Sequence, residues 1–372
     1  MKLSVFFFSS ADRGAAPDRY SFILETAVLA EDLGFEAIWM PERHFHSFGG
    51  LFPSPAVLAA ALATRTNRIG LRAGSVVMPL HHVARVAEEW AMVDALSNGR
   101  AGLSLATGWN RGDFVLGQVG YEQRREHTFA TVDTLRALWR GEELALSPDG
   151  ELPPVRTYPA PMGRDIPLWL TAMSGPATFE EAARRGCRVL TAYLQQDRSQ
   201  VERNVRVYRE AFSPASPGGR PHVTLMMHAC VTETAEQALA AVERPLITYQ
   251  REFLDLHDRT VRAGDLEELT EEEKDELASY AARKYAAERG LIGGREEVAA
   301  RLDDLASIGV DEVACLVDFG LEPELVFQTL KQLAVVTSPR DRESPSALCR
   351  RTPPAPGAVR SPGARSPRPR PS

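Results

Sequence analysis

Ile69-Gly-Leu-Arg-Ala-Gly-Ser-Val-Val-Met-Pro-Leu-His-His-Val-Ala-Arg-Val-Ala-Glu-Glu-Trp-Ala-Met-Val-Asp-Ala-Leu96 carries a β-rich run, Ile69–Val77, followed by a helical pattern over Val83–Leu96. The couplet recurs on both sides. Upstream, Leu3–Phe8 precedes Tyr20–Leu33, whose Phe22, Ile23, Ala27, Ala30 and Leu33 fall at helical spacing. Phe35–Met40 then precedes Pro55–Ala63. Downstream, Ala101–Ala106 leads to Glu126–Trp139, Pro167–Ala172 to Ala177–Arg185, and Arg188–Tyr193 to Ser199–Phe212. Val223–Val231 leads to Ala235–Val242, and Asp311–Val317 to Glu322–Ala334. Strands joined by single helices pair in parallel through right-handed crossovers. Eight such units predict a closed (β/α)8 TIM barrel rather than an open doubly wound sheet.

Three insertions interrupt the pattern. Trp109–Arg124 and Leu144–Arg164 flank the fourth helix, and the charged Thr248–Gly290 separates the seventh and eighth units. Within the last, Thr270-Glu-Glu-Glu-Lys-Asp-Glu276 has the form of a helix start. On the strand-to-helix side of a barrel, such insertions would cover the active site.

Charge divides the chain in two. Its formal charge is −7, yet Ser338–Ser372 holds eight Arg and no Lys against one Asp and one Glu, a net of +6 that leaves −13 for the rest. That segment also holds nine of the 26 prolines, a composition that cannot repay the entropy of folding. The expectation is a barrel over 1–337 and a disordered Pro/Arg/Ser-rich tail over 338–372, dispensable for activity. An acidic body argues against a nucleic-acid binder. No apolar run reaches membrane-spanning length, and the apolar Leu3–Phe8 is too short for a signal-peptide core. Cys187, Cys230, Cys315 and Cys349 lie far apart, which disfavours a disulfide frame or a zinc site and suits a reducing cytoplasm.

Barrel chemistry sits where strands end. After the second strand, Trp39-Met-Pro-Glu-Arg-His-Phe-His46 places Glu42, Arg43, His44 and His46 in one loop. A carboxylate, a guanidinium and an imidazole together can tune proton transfer near neutral pH, or simply form a salt-bridge cluster at the rim. Gly74 and Ser75, small residues between larger apolar ones, allow either close approach of a flat ligand or tight packing. Ala106-Thr-Gly-Trp-Asn110 repeats the theme after strand four. After strand five, Met173-Ser-Gly-Pro-Ala-Thr178 starts a helix whose Ser174 or Gly175 can cap it, with Pro176 in its first turn. Free N–H groups there suit a phosphate, and Thr178 adds a hydroxyl. His81-His82 opens a helix without the partners a metal site needs, and reads as structural.

Taken together, Phe35-Glu-Ala-Ile-Trp-Met-Pro-Glu-Arg-His-Phe45, Gly74-Ser-Val-Val-Met-Pro79, Arg85–Arg100, Gly108-Trp-Asn110 with Asp113-Phe114, Trp169-Leu-Thr-Ala172 and Gly309–Gly320 resemble the bacterial luciferase-like flavin monooxygenases. The wording is closest to the branch associated with nonribosomal peptide and polyketide assembly lines. The resemblance implies a (β/α)8 barrel that binds reduced FMN from a separate flavin reductase. It would use O2 to oxygenate a small or carrier-protein-tethered natural-product intermediate, and would pair as a homodimer. It places Met40, Gly74, Ser75, Ala106, Thr107, Asn110, Ala172 and Met173 around the flavin, with Ser174, Gly175 and Thr178 at its phosphate. A non-proline cis peptide often stands at the position of Gly74-Ser75. Luciferase has Glu-His-His where this chain has Glu42-Arg43-His44, so Arg43 replaces the base of luciferase and aldehyde light emission is not expected. His44 remains as an acid–base or substrate-orienting group. Thr107 stands where luciferase has a phosphate-binding Arg, so the phosphate leans on the strand-five helix or on another Arg. Hydride transfer with a deazaflavin, or flavin binding without turnover, are the alternatives.

Overall fold

A barrel strand is covered by helices outside and by other strands' side chains inside, so it is apolar on both faces. The barrel strands are buried over nearly all of their length. The computed structural model describes residues 1–8, 10–12, 16–147, 151–213, 216, 219–261 and 270–337; the predicted tail, 338–372, lies outside the described residues.

The strands are β1 (Lys2–Phe6), β2 (Ala37–Met40), β3 (Gly70–Val77), β4 (Ala101–Ala106), β5 (Leu168–Thr171), β6 (Arg188–Ala192), β7 (Val223–Val231), β8 (Leu291–Gly293) and β9 (Glu312–Leu316). All pairings between them are parallel, running β1 through β7 in order, with β9 joining β7 back to β1. This is the eight-stranded (β/α)8 barrel. Every residue of β2 and of β9 is buried. The register shifts between Gly74 and Val76, where β3 bulges against β4; a bulge re-aims side chains and is frequent beside active sites.

Around the barrel run α1 (Ala16–Asp32), α2 (Pro55–Ala63), α3 (Val83–Ser97), α4 (Arg124–Trp139), α5 (Pro176–Arg184) and α6 (Arg198–Ala211). They are followed by α7 (Ala235–Val261), α8 (Glu271–Glu288), α9 (Arg295–Ser307) and α10 (Pro323–Thr337). Local chemistry sets several starts. Ser54 accepts from the Val57 N–H ahead of Pro55, and Asp197 and Thr270 each form a capping box, with Gln200 and Glu273.

The charged insertion departs most from expectation. The helix predicted to end at Val242 continues through Pro245 to Val261, and α8 runs back along it. Arg251 pairs with Glu271 and with Asp275 at 3.2 Å, and Lys274 with Asp255 at 3.7 Å. Of the helices that flank β8, the one before it was foreshadowed by the Thr270 start. β8 itself pairs with the far end of β7, outside the closed ring.

At the N-terminal ends of the strands lies an ionic knot. Arg72 Nη1 donates to both Glu312 oxygens at 2.9 Å, between the rings of Trp39 and Trp169. Ser4 Oγ donates to Glu312 Oε1 at 2.6 Å, and His222 Nε2 lies 3.2 Å from Oε2. Burial would raise the Glu312 carboxyl, but Arg72, His222 and Ser4 more than reverse this and hold it far below the usual range.

Candidate active site

A cavity of about 570 Å³ opens at the C-terminal ends of the strands. Its wall takes residues from the ends of β1 to β7 and from α7, and is mostly apolar and aromatic, with Phe6, Phe8, Phe48, Trp109, Tyr249 and Phe253 prominent. A mainly apolar cavity with a few placed polar groups is the usual form of a cofactor or substrate site.

Among the residues singled out in the sequence, Glu42, Arg43, Gly74, Ser75, Ala106, Thr107 and Met173 line this cavity. Met40 and Ala172, beside the lining residues Pro41 and Met173 in the chain, are buried and do not line it. Asn110 turns away to cap the following 3₁₀ turn, its Oδ1 accepting from the Gly112 N–H, and its Nδ2 donates to Asp113 at 2.7 Å. Ser174, Gly175 and Thr178 gather at the start of α5, along the chain from Met173.

Gly74 is needed for a packing reason. A Cβ there would stand 2.8 Å from Phe6 and 3.1 Å from Trp39, so only glycine lets β3 pass these rings. The peptide between Gly74 and Ser75 is cis. Ser75 Oγ shares a hydrogen bond with Thr171 Oγ1, which meets Ser104 Oγ at 2.7 Å, so three hydroxyls from β3, β5 and β4 satisfy one another at the barrel's upper layer.

The loop after β2 is organised by Glu42. Its Oε1 accepts from His44 Nε2 at 2.8 Å and from His81 Nε2 at 2.6 Å, and its Oε2 accepts from the Val77 N–H at 2.7 Å. A carboxylate can only accept, so both imidazoles carry their proton on Nε2. Burial pushes the Glu42 carboxyl up, but these donors outweigh it and hold it below its ordinary value. Burial pulls His81 down, and Glu42 reverses that and raises it. His46 does not join this group; its Nδ1 accepts from the Phe48 N–H. His81, which the sequence leaves without a partner, is thus the second imidazole on the cavity's carboxylate.

Arg43 lies beside them with its side chain 6% exposed and its guanidinium 5.1 Å from the Trp109 ring centroid. Its nearest charge is Asp113, 4.0 Å away. Burial raises the Asp113 carboxyl, and Arg43 and His44 only partly offset this.

The start of α5 has Gly175 as its N-cap and no side-chain cap, so no capping side chain takes up its first-turn N–H groups. Arg125, at the start of α4, donates through Nη2 to Thr178 Oγ1 at 3.2 Å. An uncapped helix start, a hydroxyl and a guanidinium form an arrangement that fits a phosphate monoester. No sequence signal marks Arg125, because its partner lies 53 residues on. Among the described residues no cluster of His, Cys, Asp or Glu could hold a metal ion, and no helix is long and apolar enough to cross a membrane.

The chain and its barrel match known proteins. The chain belongs to the luciferase-like monooxygenase family, whose profile matches residues 1–312. It is an enzyme of that class, a flavin-dependent oxidoreductase. It is 26% identical over 340 residues, 90% of this chain and 93% of the relative, to the oxygenase component of the flavin-dependent trigonelline monooxygenase of Acinetobacter baylyi. Among solved structures, monooxygenase RslO1 from Streptomyces bottropensis superposes with a TM-score of 0.75 at 23% identity, covering 92% of this chain and all of that one. The oxygenating constituent of 3,6-diketocamphane monooxygenase from Pseudomonas putida, a type II Baeyer–Villiger enzyme in complex with FMN, gives 0.69 at 17%, covering 90% and 96%. An F420-dependent secondary alcohol dehydrogenase shares the fold at 0.67 and 16%, covering 91% and 100%.

Proposed function

We propose that this chain is the oxygenase of a two-component system. It takes reduced FMN from a separate reductase and uses O2 to oxygenate a small or carrier-tethered natural-product intermediate, in the cytoplasm and as a homodimer. The observation that carries this reading is the apolar cavity at the strand ends, joined through Met173 to an uncapped helix start with Arg125 and Thr178 beside it. Its FMN-bound relative in fold and the oxygenase-component relative in sequence support it.

Reduced FMN, when bound, supplies the two electrons that activate O2, one oxygen atom entering the substrate and the other leaving as water. The protein's share is holding, shielding and proton placement. Arg125, Thr178 and the α5 N–H groups hold the phosphate, and Gly74, Ser75, Ala106 and Thr107 form the wall for the ring. Phe8, Tyr249 and Phe253 exclude water, which protects a reactive oxygen donor from loss. Glu42 Oε1 can receive a proton from either imidazole, and His81, its side chain 31% exposed, connects that oxygen to solvent.

Oxygen uptake tests the proposal. The chain should consume O2 with reduced FMN and an acceptor substrate. Oxygen-independent turnover with a deazaflavin would place it among hydride-transfer enzymes, and tight FMN binding without any change in reoxidation would make it a binding protein.

A further inference from the structure

The inner face of α6 buries Val201, Asn204, Val205 and Tyr208, so an amide stands among apolar and aromatic neighbours. A buried amide is costly unless its donors are met. Asn204 Nδ2 donates twice, to the Ser174 carbonyl at 3.1 Å and to Gln196 Oε1 at 2.9 Å. Gln196, buried as well, continues the chain through Nε2, which donates to Thr191 Oγ1 at 2.8 Å and to the Ala192 carbonyl at 2.9 Å. Thr191 Oγ1 in turn donates to the Met173 carbonyl at 3.4 Å. Backbone carbonyls only accept, so those of Ser174 and Ala192 fix which end of each amide is which. Thr191, Gln196 and Asn204 thus form one buried relay that ends on two consecutive carbonyls.

Those carbonyls belong to the turn that leads into α5. Their peptides are trans, the cis bonds of the described chain being Gly74-Ser75 and Tyr158-Pro159. In a trans peptide the C=O and the following N–H point in opposite directions. With the Met173 and Ser174 carbonyls turned onto the relay, the N–H groups of Ser174 and Gly175 point away from it. The relay is itself anchored, because Gln196 directly precedes Asp197, whose capping box with Gln200 starts α6.

We propose that Asn204 and Gln196 are positioning residues for the cofactor. By holding the Met173 and Ser174 carbonyls they aim the Ser174 and Gly175 N–H groups at the FMN phosphate. Backbone donors hold an anion well only where other contacts fix their direction, and no side chain caps this turn from its own helix. Met173 and Thr191 also line the cavity, so one relay ties the wall beside the ring to the turn that holds the phosphate. The proposal rests on the flavin reading and deepens it.

The test is fluorescence titration of the full-length protein with FMN and with riboflavin, which lacks the phosphate. The wild type should bind FMN at least about ten-fold more tightly than riboflavin. Asn204→Leu, close in volume but without a donor, should lower FMN affinity about ten-fold and leave riboflavin affinity within about two-fold. Gln196→Met keeps the Asn204 bond to Ser174 but cuts the relay behind it. It should show the same selective loss to a smaller degree, and serves if the leucine variant does not fold. An FMN preference that survives undiminished in the folded variants would overturn the proposal and leave the phosphate site standing. Equal loss of both flavins would also overturn it, since the relay would then support only the fold. A wild type that binds the two flavins alike would remove the phosphate site and this proposal together.

Discussion

His81 Nε2 lies 2.6 Å from Glu42 Oε1, an oxygen that His44 Nε2 also reaches at 2.8 Å, although His81 is 39 residues from Glu42 in sequence. The pair makes stability depend on pH in a defined window. Glu42 is lowered from 4.5, so its contribution is present above that value and lost as pH falls through its folded value. His81 is raised from 6.5, so its contribution is complete below that value and lost as pH rises through its folded value. Both act fully only between 4.5 and 6.5. His81→Gln should therefore destabilise by about 1–2 kcal/mol near pH 5.5, and by less at pH 8.5. Urea denaturation at the two pH values measures this, and a pH-independent difference would show that the imidazolium is not paired with Glu42.

The start of α5 predicts a phosphate-specific effect. Arg125→Ala should weaken FMN binding by about 10–100-fold, the usual worth of a charge-assisted hydrogen bond, and Thr178→Ala by less. Riboflavin, which lacks the phosphate, should bind both variants as it binds the wild type. Fluorescence titration with the two flavins decides it; unchanged FMN affinity would remove these residues from the phosphate site.

The knot at the opposite strand ends predicts stability without function. Glu312→Gln leaves the Arg72 charge buried between Trp39 and Trp169, and should cost about 3–5 kcal/mol. Because Glu312 is held far below 4.5, its contribution is present above that value and fades as pH falls below it. FMN affinity should not change, since the knot lies away from the cavity. A loss under 1 kcal/mol by urea denaturation at neutral pH, or a loss of FMN binding in the folded variant, would contradict this account.

The barrel was legible because its strands are buried on both faces and so stand out as short apolar runs, as Val223–Val231 does. The helix after that run was read too short because Pro245 imitates a stop; its ring sits in a helix held from outside by the α8 ion pairs. β8 has only three residues and no pattern to detect. At the site, Glu42, Arg43, Gly74 and Ser75 declared themselves by residue type and position at strand ends. His81 and Arg125 did not, because their roles come from partners that only the closed ring brings near. Tyr249 and Phe253 were hidden for the same reason, inside an insertion whose charges marked it only as exposed helix.

The central claim, that this chain activates oxygen on bound reduced FMN, is tested most directly by stopped-flow spectroscopy. The protein is loaded with reduced FMN without air and then mixed with oxygenated buffer. The account predicts that reoxidation resolves into two phases, with a transient spectrum unlike either reduced or oxidised flavin, and that the second phase lengthens relative to free FMN. A single phase at the rate of free reduced FMN, from protein shown to hold the flavin, would contradict it.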